Sequence, residues 1–252
     1  MALRVNGSNL LPIVAPSSSN YPHLYKPFKL PEEWYFQIYG NAFFDYANKS
    51  IESETNAKLF AIGMTANGWK LPQICAILGN IASESTYNPG LWERAKGQPF
   101  APSPASDYQQ IPETHGFGLV QWTPAADIAP WANEVFGSVG AYDADTPCWY
   151  NGTVQIAKLM WELENDTEWS RYNPPYNFPL EMDFYNADKT ADDLEDLTQC
   201  WFFGYEQAGQ QLWNLTGANR IKWAKYWYDE LKDVNLKQLP IWFICKAARN
   251  WR

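Results

Sequence analysis

Apolar residues recur at helical spacing along much of the chain, and the clearest case is residues 71–84. On a helix, four apolar side chains of this segment lie on one stripe, which predicts a buried face. They are Ile74, Ile77, Leu78 and Ile81. Pro72 stands near the first helical position, where its missing N–H does no harm. Asn-Pro-Gly at 88–90 opposes continuation beyond about residue 87, so the pattern predicts a buried helix over 71–84.

The same spacing predicts further helices. They run over residues 55–67, from a Thr123-Pro124 cap through Val135, over 153–165, from Thr190 to about Gly204, and over 217–232. Residues 116–122 alternate glycine with apolar side chains, which predicts a strand pressed closely against the 71–84 helix. Four prolines make 92–115 loop-like. The pattern therefore indicates an α+β fold that is predominantly helical.

Composition shifts divide the chain into three parts. Residues 1–45 are rich in Pro, Ser, Asn and aromatic residues and predict an extended arm, packed along the domain or docked into a larger assembly. Residues 46–233 form the main domain. Residues 234–252 are an aromatic and basic tail, packed on the domain as an edge strand or short helix, or leading to a further module. The apolar run at 10–15 is too short for a signal peptide, and no stretch reaches transmembrane length.

Charge and composition exclude some functions. The net charge of −9 argues against nucleic-acid binding, which requires a basic surface. The chain has two histidines, which is too few for a His-rich zinc site. No metal or cofactor is predicted. The four cysteines are far apart and predict reduced thiols, with a Cys148–Cys200 bridge as the alternative. Aromatic residues make up 17% of the chain, and most are expected in the core, with a few available to stack on a saccharide.

Glu84 is the candidate for chemistry on the 71–84 helix. It lies three residues after Ile81 and seven after Ile77, so it points towards the buried side of the last turn. Apolar surroundings and the negative end of the helix dipole both raise the pKa of a carboxyl placed there. Such a group can protonate a glycosidic leaving oxygen. A single glutamate at a helix end is more often a surface residue, so further motifs are needed.

Three ordered motifs carry a resemblance to the lysozyme superfamily. Glu84-Ser85 is followed by Tyr-Asn-Pro-Gly at 87–90, then by Gly-Phe-Gly-Leu-Val-Gln-Trp-Thr-Pro at 116–124, and Gly-Tyr-Glu-Gln-Ala-Gly stands at 204–209. They resemble the Glu-Ser, Gly-Leu-Met-Gln and Tyr-Asn-Ala-Gly motifs of lytic transglycosylases and goose-type lysozymes. The form of the second motif is most similar to the phage tail lysozyme family. The resemblance spans about residues 55–231.

The resemblance implies a lysozyme-like domain in which residues 92–115 hold a small β-hairpin and much of the glycan groove, and the extended N-terminal arm predicted from composition would precede this domain. It also implies that Glu84 is the catalytic acid. Goose-type enzymes carry an Asp two residues after the motif Gln, whereas this chain has Thr123. Glu113 is the first choice for a second, water-orienting carboxylate and Glu206 the next, although either can be a solvated acid. If neither serves, Glu84 acts alone, as in lytic transglycosylases.

Six residues are candidates for substrate binding, and each also has a structural reading. They are Ser85, Tyr87, Gln121, Trp122, Tyr205 and Glu206. Gln121 can bond a sugar amide or pack the loop, and Tyr87 and Trp122 can stack on glycan or fill the core. Tyr205 resembles the family tyrosine that contacts the catalytic glutamate. Ser85 can face the groove or bond backbone.

The function implied is that of a phage tail-associated muramidase. It would cleave the bond between N-acetylmuramic acid and N-acetylglucosamine in peptidoglycan, opening the host wall for genome ejection. The expected partners are glycan strands and other tail proteins, and the expected location is the virion, which would carry an acidic enzyme to an anionic wall. The alternatives are a lytic transglycosylase, a non-catalytic tail protein that keeps the fold, and a thiol peptidase using Cys75 and His115.

Overall fold

The structure is a computed structural model. It describes residues 4–5, 8–9, 51–91, 93, 115–124, 127–136, 148–165, 184 and 190–236. Its α-helices are α1 (Ile51–Ala66), α2 (Leu71–Glu84), α3 (Ala129–Phe136), α4 (Gly152–Asn165), α5 (Leu194–Gly204) and α6 (Gln210–Leu231). Short 3-10 helices cover Cys148–Tyr150 and Ala191–Asp193, and two-residue strands β1 (Arg4–Val5) and β2 (Ser8–Asn9) pair antiparallel. The prediction of a predominantly helical fold is confirmed.

Helix α2 lies at the centre of the helical core. Every residue from 72 to 82 is buried, so burial extends around the whole helix rather than along the predicted stripe alone. It packs along α6 and α5, with α1 alongside. Helix α6 lies very close to α2 at Gly79, where an added Cβ would lie 2.5 Å from the Arg220 carbonyl oxygen and 2.9 Å from the Ala224 Cβ. A glycine at this position therefore allows α2 and α6 to touch.

Several predicted helix ends are confirmed by their hydrogen bonds. Gly68 has φ +92° and ends α1, with its N–H donating to the Thr65 carbonyl at 3.0 Å and Trp69 N–H to Met64 at 3.1 Å. Before α5, the Asp192 N–H donates to Thr190 Oγ1 at 3.3 Å, and Thr190 N–H donates to an Asp193 carboxylate oxygen at 2.7 Å.

Three helices begin elsewhere than predicted, and one of them is α1, which begins at Ile51 rather than at 55. The helix expected at Thr123 begins at Ala129, because the Thr123 hydroxyl donates to the Gln121 carbonyl at 3.0 Å instead of capping a helix. Helix α6 begins at Gln210 rather than at 217, since Gly209 is extended and directly precedes its first turn. The spacing of apolar residues alone therefore does not determine where a helix begins.

The strand predicted over 116–122 is wrong. These residues form a tight turn closed by a single antiparallel bridge between Phe117 and Trp122, whose N–H groups each donate to the other's carbonyl at 3.0 Å. Gly118 has φ +83° and Gln121 φ +54°, and such values end an extended conformation. We call residues 116–122 the glycine loop.

Other predictions fall on residues outside those described. They concern most of the N-terminal arm, nearly all of the predicted hairpin segment 92–115, and residues 237–252 of the tail. Within the described residues, no helix combines the length and apolarity needed to cross a bilayer.

Candidate active site

Glu84 is the last residue of α2, where the helix reaches the surface. Its side chain is 22% exposed and forms an ion pair with the guanidinium of Arg220, which is only 2% exposed and comes from α6. Arg220 Nη2 donates to Glu84 Oε1. The carboxylate therefore has one side against a buried positive charge and the other towards solvent.

Arg220 makes several further contacts. Its Nη1 donates to Glu206 Oε2 at 2.8 Å and to Asn80 Oδ1 at 2.9 Å, and its Nε donates to Thr216 Oγ1 at 3.2 Å. The guanidinium carbon lies 4.6 Å from the centre of the Phe202 ring. With four hydrogen-bonding partners and a ring face, the guanidinium is held in one orientation.

Asn80 supports this arrangement from within α2. It is fully buried, and its Nδ2 donates to the Ala76 carbonyl at 3.0 Å and to the Thr198 carbonyl of α5 at 3.1 Å. Because its Oδ1 accepts from Arg220, one side chain links α2, α5 and α6 beneath Glu84. Glu84 and Asn80 are four residues apart and share a face of the helix.

The charges of this group are interdependent. Burial raises the pKa of Glu206 well above its ordinary value, Arg220 opposes the rise, and the charge of Glu84 adds to it together with a hydrogen bond between the two carboxyls. Burial alone would lower the pKa of Arg220, but Glu206 and Glu84 more than compensate and raise it. The two carboxyls therefore favour the charged form of Arg220.

The glycine loop is fastened to the end of α2 and to α4. Ser85 Oγ donates to the Leu119 carbonyl at 2.8 Å. The buried Gln155 of α4 accepts from Leu119 N–H at 2.8 Å and donates to the Pro89 carbonyl at 2.7 Å. A Cβ at Gly118 would lie 2.8 Å from the Gln155 side chain, so glycine is required there for space as well as for φ. These bonds place the loop beside the catalytic candidate.

A second buried polar cluster lies on α4 around Glu162. Glu162 Oε2 accepts from the Tyr205 hydroxyl at 2.5 Å, and both of its oxygens accept from Trp122 Nε1, at 3.1 and 3.0 Å. Lys158 Nζ lies 2.9 Å from Glu162 Oε1. Burial raises the pKa of Glu162, and Lys158, Tyr205 and Trp122 oppose this rise. The cluster joins the glycine loop to the turn that carries Glu206.

Comparison with known proteins assigns the chain to a family. The sequence pattern that defines phage tail lysozymes matches residues 55–231, the segment that contains both clusters. The chain belongs to the phage tail lysozyme family. It is also similar to Morphogenesis protein 1 of Bacillus phage B103, at 26% identity over 195 residues. The similarity covers 75% of this chain and 44% of that protein, so the chain spans less than half the length of this relative.

Four of the residues predicted to bind substrate are buried. Tyr87 is buried, and its hydroxyl accepts from Trp227 Nε1 at 2.5 Å. Ser85, Trp122 and Tyr205 are also buried, and their polar side-chain atoms form hydrogen bonds inside the protein. The Tyr205 hydroxyl donates to Glu162 rather than to Glu84. The polar atoms of these four side chains are thus bonded within the protein, and their roles in substrate binding stay predictions.

Gln121 is half-buried at the edge of the glycine loop. Its Nε2 donates to the Gly118 carbonyl at 2.8 Å and to the Leu91 carbonyl at 3.2 Å, so the amide supports the loop. Thr123, which replaces the goose-type Asp, is exposed. Glu113, the predicted second carboxylate, lies outside the described residues and stays a prediction.

A thiol mechanism has little structural support in this family member. Cys75 is a fully buried free thiol in the middle of α2, and burial raises its pKa far above the ordinary value. Within the described ranges, no three His, Cys, Asp or Glu side chains come together as a metal-binding group.

Sequence reasoning missed the residues that link the helices. They are Asn80, Gln155, Lys158, Glu162 and Arg220. The signal for Arg220 was available, because it lies at helical spacing with Ala224, Trp227 and Leu231, all of which are buried. A charged residue within an apolar stripe predicts a buried partner of opposite charge.

Proposed function

We propose that this chain is a muramidase of a phage tail that cleaves the bond between N-acetylmuramic acid and N-acetylglucosamine in peptidoglycan, opening the host wall for genome ejection. One observation carries the proposal: Glu84, in a phage tail lysozyme sequence, ends a buried helix with its carboxyl partly exposed beside the glycine loop. A carboxyl that is held by a buried guanidinium on one side and exposed to solvent on the other can reach a glycosidic oxygen.

In this proposal Glu84 gives its proton to the leaving oxygen as the bond to the sugar breaks. The positively charged sugar that develops is then attacked by water. Glu113 remains the proposed base that orients this water. Glu206 is less suited to that role, since its side chain is only 7% exposed and bonded to Arg220 behind Glu84. Gln121 is the proposed glycan contact that the described surface supports best, because it is partly exposed on the glycine loop.

Two further functions each have an observation in their favour. The name Morphogenesis protein 1 favours a role in particle assembly, with a lysozyme fold that need not act on the wall. The burial of Glu206 favours a lytic transglycosylase, because such enzymes need no second carboxylate: the 6-hydroxyl of the sugar replaces water and an anhydro end results.

The test is mass spectrometry of fragments released from purified Gram-positive peptidoglycan by the full chain and by Glu84→Gln. The glutamine keeps the shape of the side chain but has no acidic proton. We expect hydrated fragments with a reducing muramic acid end, and a loss of at least about 100-fold in the variant. Glu195→Gln, the same change at an exposed carboxylate of α5, should release fragments at the native rate.

Other outcomes separate the alternatives. Anhydro ends, lighter by one water, would assign the chain to the transglycosylases. Fragments from peptide-bond cleavage, or full activity of Glu84→Gln, would refute the assignment of Glu84. No release from walls of several compositions would favour the assembly role.

A further inference from the structure

Arg220 contacts two carboxyl groups through different nitrogens. Its Nη2 donates to Glu84 Oε1, and its Nη1 donates to Glu206 Oε2 at 2.8 Å. The carboxyls are themselves neighbours, close enough for a hydrogen bond when one of them is protonated. The guanidinium can therefore support negative charge on either carboxyl without moving.

The charges of this group do not balance if both carboxyls are ionised. One guanidinium would then face two carboxylates, and no other charged side chain of the described residues faces Glu206. Two carboxylates that share one guanidinium inside a protein repel each other, and this repulsion favours the protonated form of one of them. One proton restores neutrality to the group.

The less exposed carboxyl is the better place for that proton. The Glu206 side chain is 7% exposed and that of Glu84 22%, so water stabilises a charge on Glu84 more than one on Glu206. The second oxygen of Glu206, Oε1, is buried and has no hydrogen-bond partner among the described residues. An ionised Oε1 would lack a donor, whereas a protonated Glu206 can donate to the neighbouring Glu84 carboxylate.

We propose that Glu84 and Glu206 share a single proton beneath Arg220, with Glu206 holding it in the free protein and passing it to Glu84 when a glycan strand covers the site. The inference rests on the proposed function, because it supplies the proton that Glu84 donates. Glu206 then acts through Glu84 as a positioning residue and need not touch the sugar.

Protons balance over the cycle. A bound sugar excludes water from Glu84, so its charge loses solvation and the proton moves from Glu206 to Glu84 while Arg220 pairs with Glu206 instead. Glu84 gives this proton to the glycosidic oxygen, which keeps the electron pair of the breaking C–O bond. The attacking water bonds to the sugar carbon and loses a proton to Glu113, the proposed base, which releases it to solvent. Uptake of one proton from solvent by the Glu84–Glu206 pair restores the starting state.

The test is the pH dependence of kcat/KM for Glu206→Gln in the full chain. Glutamine keeps the bond to Arg220 Nη1 but stores no proton. Because position 206 then carries no negative charge, the positive charge of Arg220 favours ionisation of Glu84 more strongly. We expect the alkaline limb to move at least one unit lower, giving a loss of at least about 10-fold at pH 7.5 but less than about 2-fold at the acid end. Glu195→Gln should keep the native profile.

A second measurement does not depend on activity. Carbon NMR of labelled glutamate carboxyls follows the titration of Glu206, and Glu84→Gln should lower the pKa of Glu206 because a neighbouring negative charge is removed. An equal loss at every pH in Glu206→Gln, an unchanged profile, or an unmoved Glu206 pKa would each overturn the inference. If Glu84→Gln is fully active, the proposed function fails first, so the two failures are distinguishable.

Discussion

At the scale of single residues, Arg220 determines the electrostatics of the candidate site. It is buried, charged and bonded to both Glu84 and Glu206, while Asn80 fixes its Nη1 from α2. A buried charge that loses its partners is strongly destabilising, so this group must stay paired for the protein to stay folded. The same pairing links the stability of the protein to the protonation of Glu206.

This linkage predicts how stability changes with pH. The folded-state pKa of Glu206 is raised, so above its ordinary value of 4.5 the folded protein binds more protons than the unfolded chain. The contribution of Glu206 is fully present below pH 4.5 and is lost as the pH rises towards the folded-state value. Replacing Glu206 by Gln removes this loss, and the native protein should lose on the order of 1 kcal/mol more than the variant between pH 5 and pH 8.

Urea unfolding of the native protein and of Glu206→Gln at a series of pH values measures the difference. Glu195→Gln is the control, because that carboxylate is exposed and should leave the slope unchanged. A native curve parallel to that of Glu206→Gln over the whole range would show that Glu206 has no raised pKa.

Residue roles were predictable only where position alone decides them. Glu84 could be found because it continues the apolar spacing of Ile77 and Ile81 to a helix end. The partner of Tyr205 could not be found in this way. Its hydroxyl was expected to contact the catalytic glutamate and instead donates to Glu162, and spacing does not reveal that these two residues face each other. Polar residues on a helix are assigned to solvent by default, and only the fold shows which of them face each other.

At the scale of elements, the site depends on the distance between α2 and α6. The two backbones approach each other closely at Gly79, and Arg220, whose carbonyl would collide with an added Cβ, also carries the site guanidinium. Alanine at position 79 would favour an isolated helix by about 1 kcal/mol, so any loss of stability must come from packing. We expect Gly79→Ala to lower the free energy of unfolding by about 1–3 kcal/mol and to reduce wall hydrolysis by displacing Arg220.

Thermal or urea unfolding, together with the fragment-release assay, checks this expectation. Gly209→Ser is the matched control, because an added Cβ there meets nothing within 4 Å and serine is a favourable residue before a helix. If Gly79→Ala were as stable and active as Gly209→Ser, the two helices would have room to separate and the close approach would not position the site.

Elements were predictable where long apolar periodicity coincides with a clear end signal. Helix α2 and the Gly68 stop of α1 satisfy both conditions. The glycine loop was wrongly predicted as a strand because alternation also occurs in a turn whose glycines adopt positive φ. Its contacts with Gln155 and Glu162, not its own pattern, determine its shape.

At the scale of the whole molecule, the net charge of −9 opposes approach to an anionic wall. This repulsion is long-ranged and therefore sensitive to salt, whereas the buried bonds of Arg220 are screened much less. Binding to the wall and chemistry at Glu84 can thus be separated by ionic strength. Attachment to a particle would make the repulsion unimportant, because the particle holds the enzyme at the surface.

The free chain should therefore act faster on intact anionic walls when salt is added. Raising the ionic strength from about 0.01 M to about 0.1 M shortens the screening length from about 30 Å to about 10 Å, and we expect the initial rate to rise about 2- to 5-fold. The measurement is fragment release from walls with and without their anionic polymers. Stripped walls should show little salt dependence, because the repelling charge has been removed. A rate that falls with salt on intact walls would indicate that a basic patch attracts the wall despite the net charge, and would contradict the view that the chain needs a carrier.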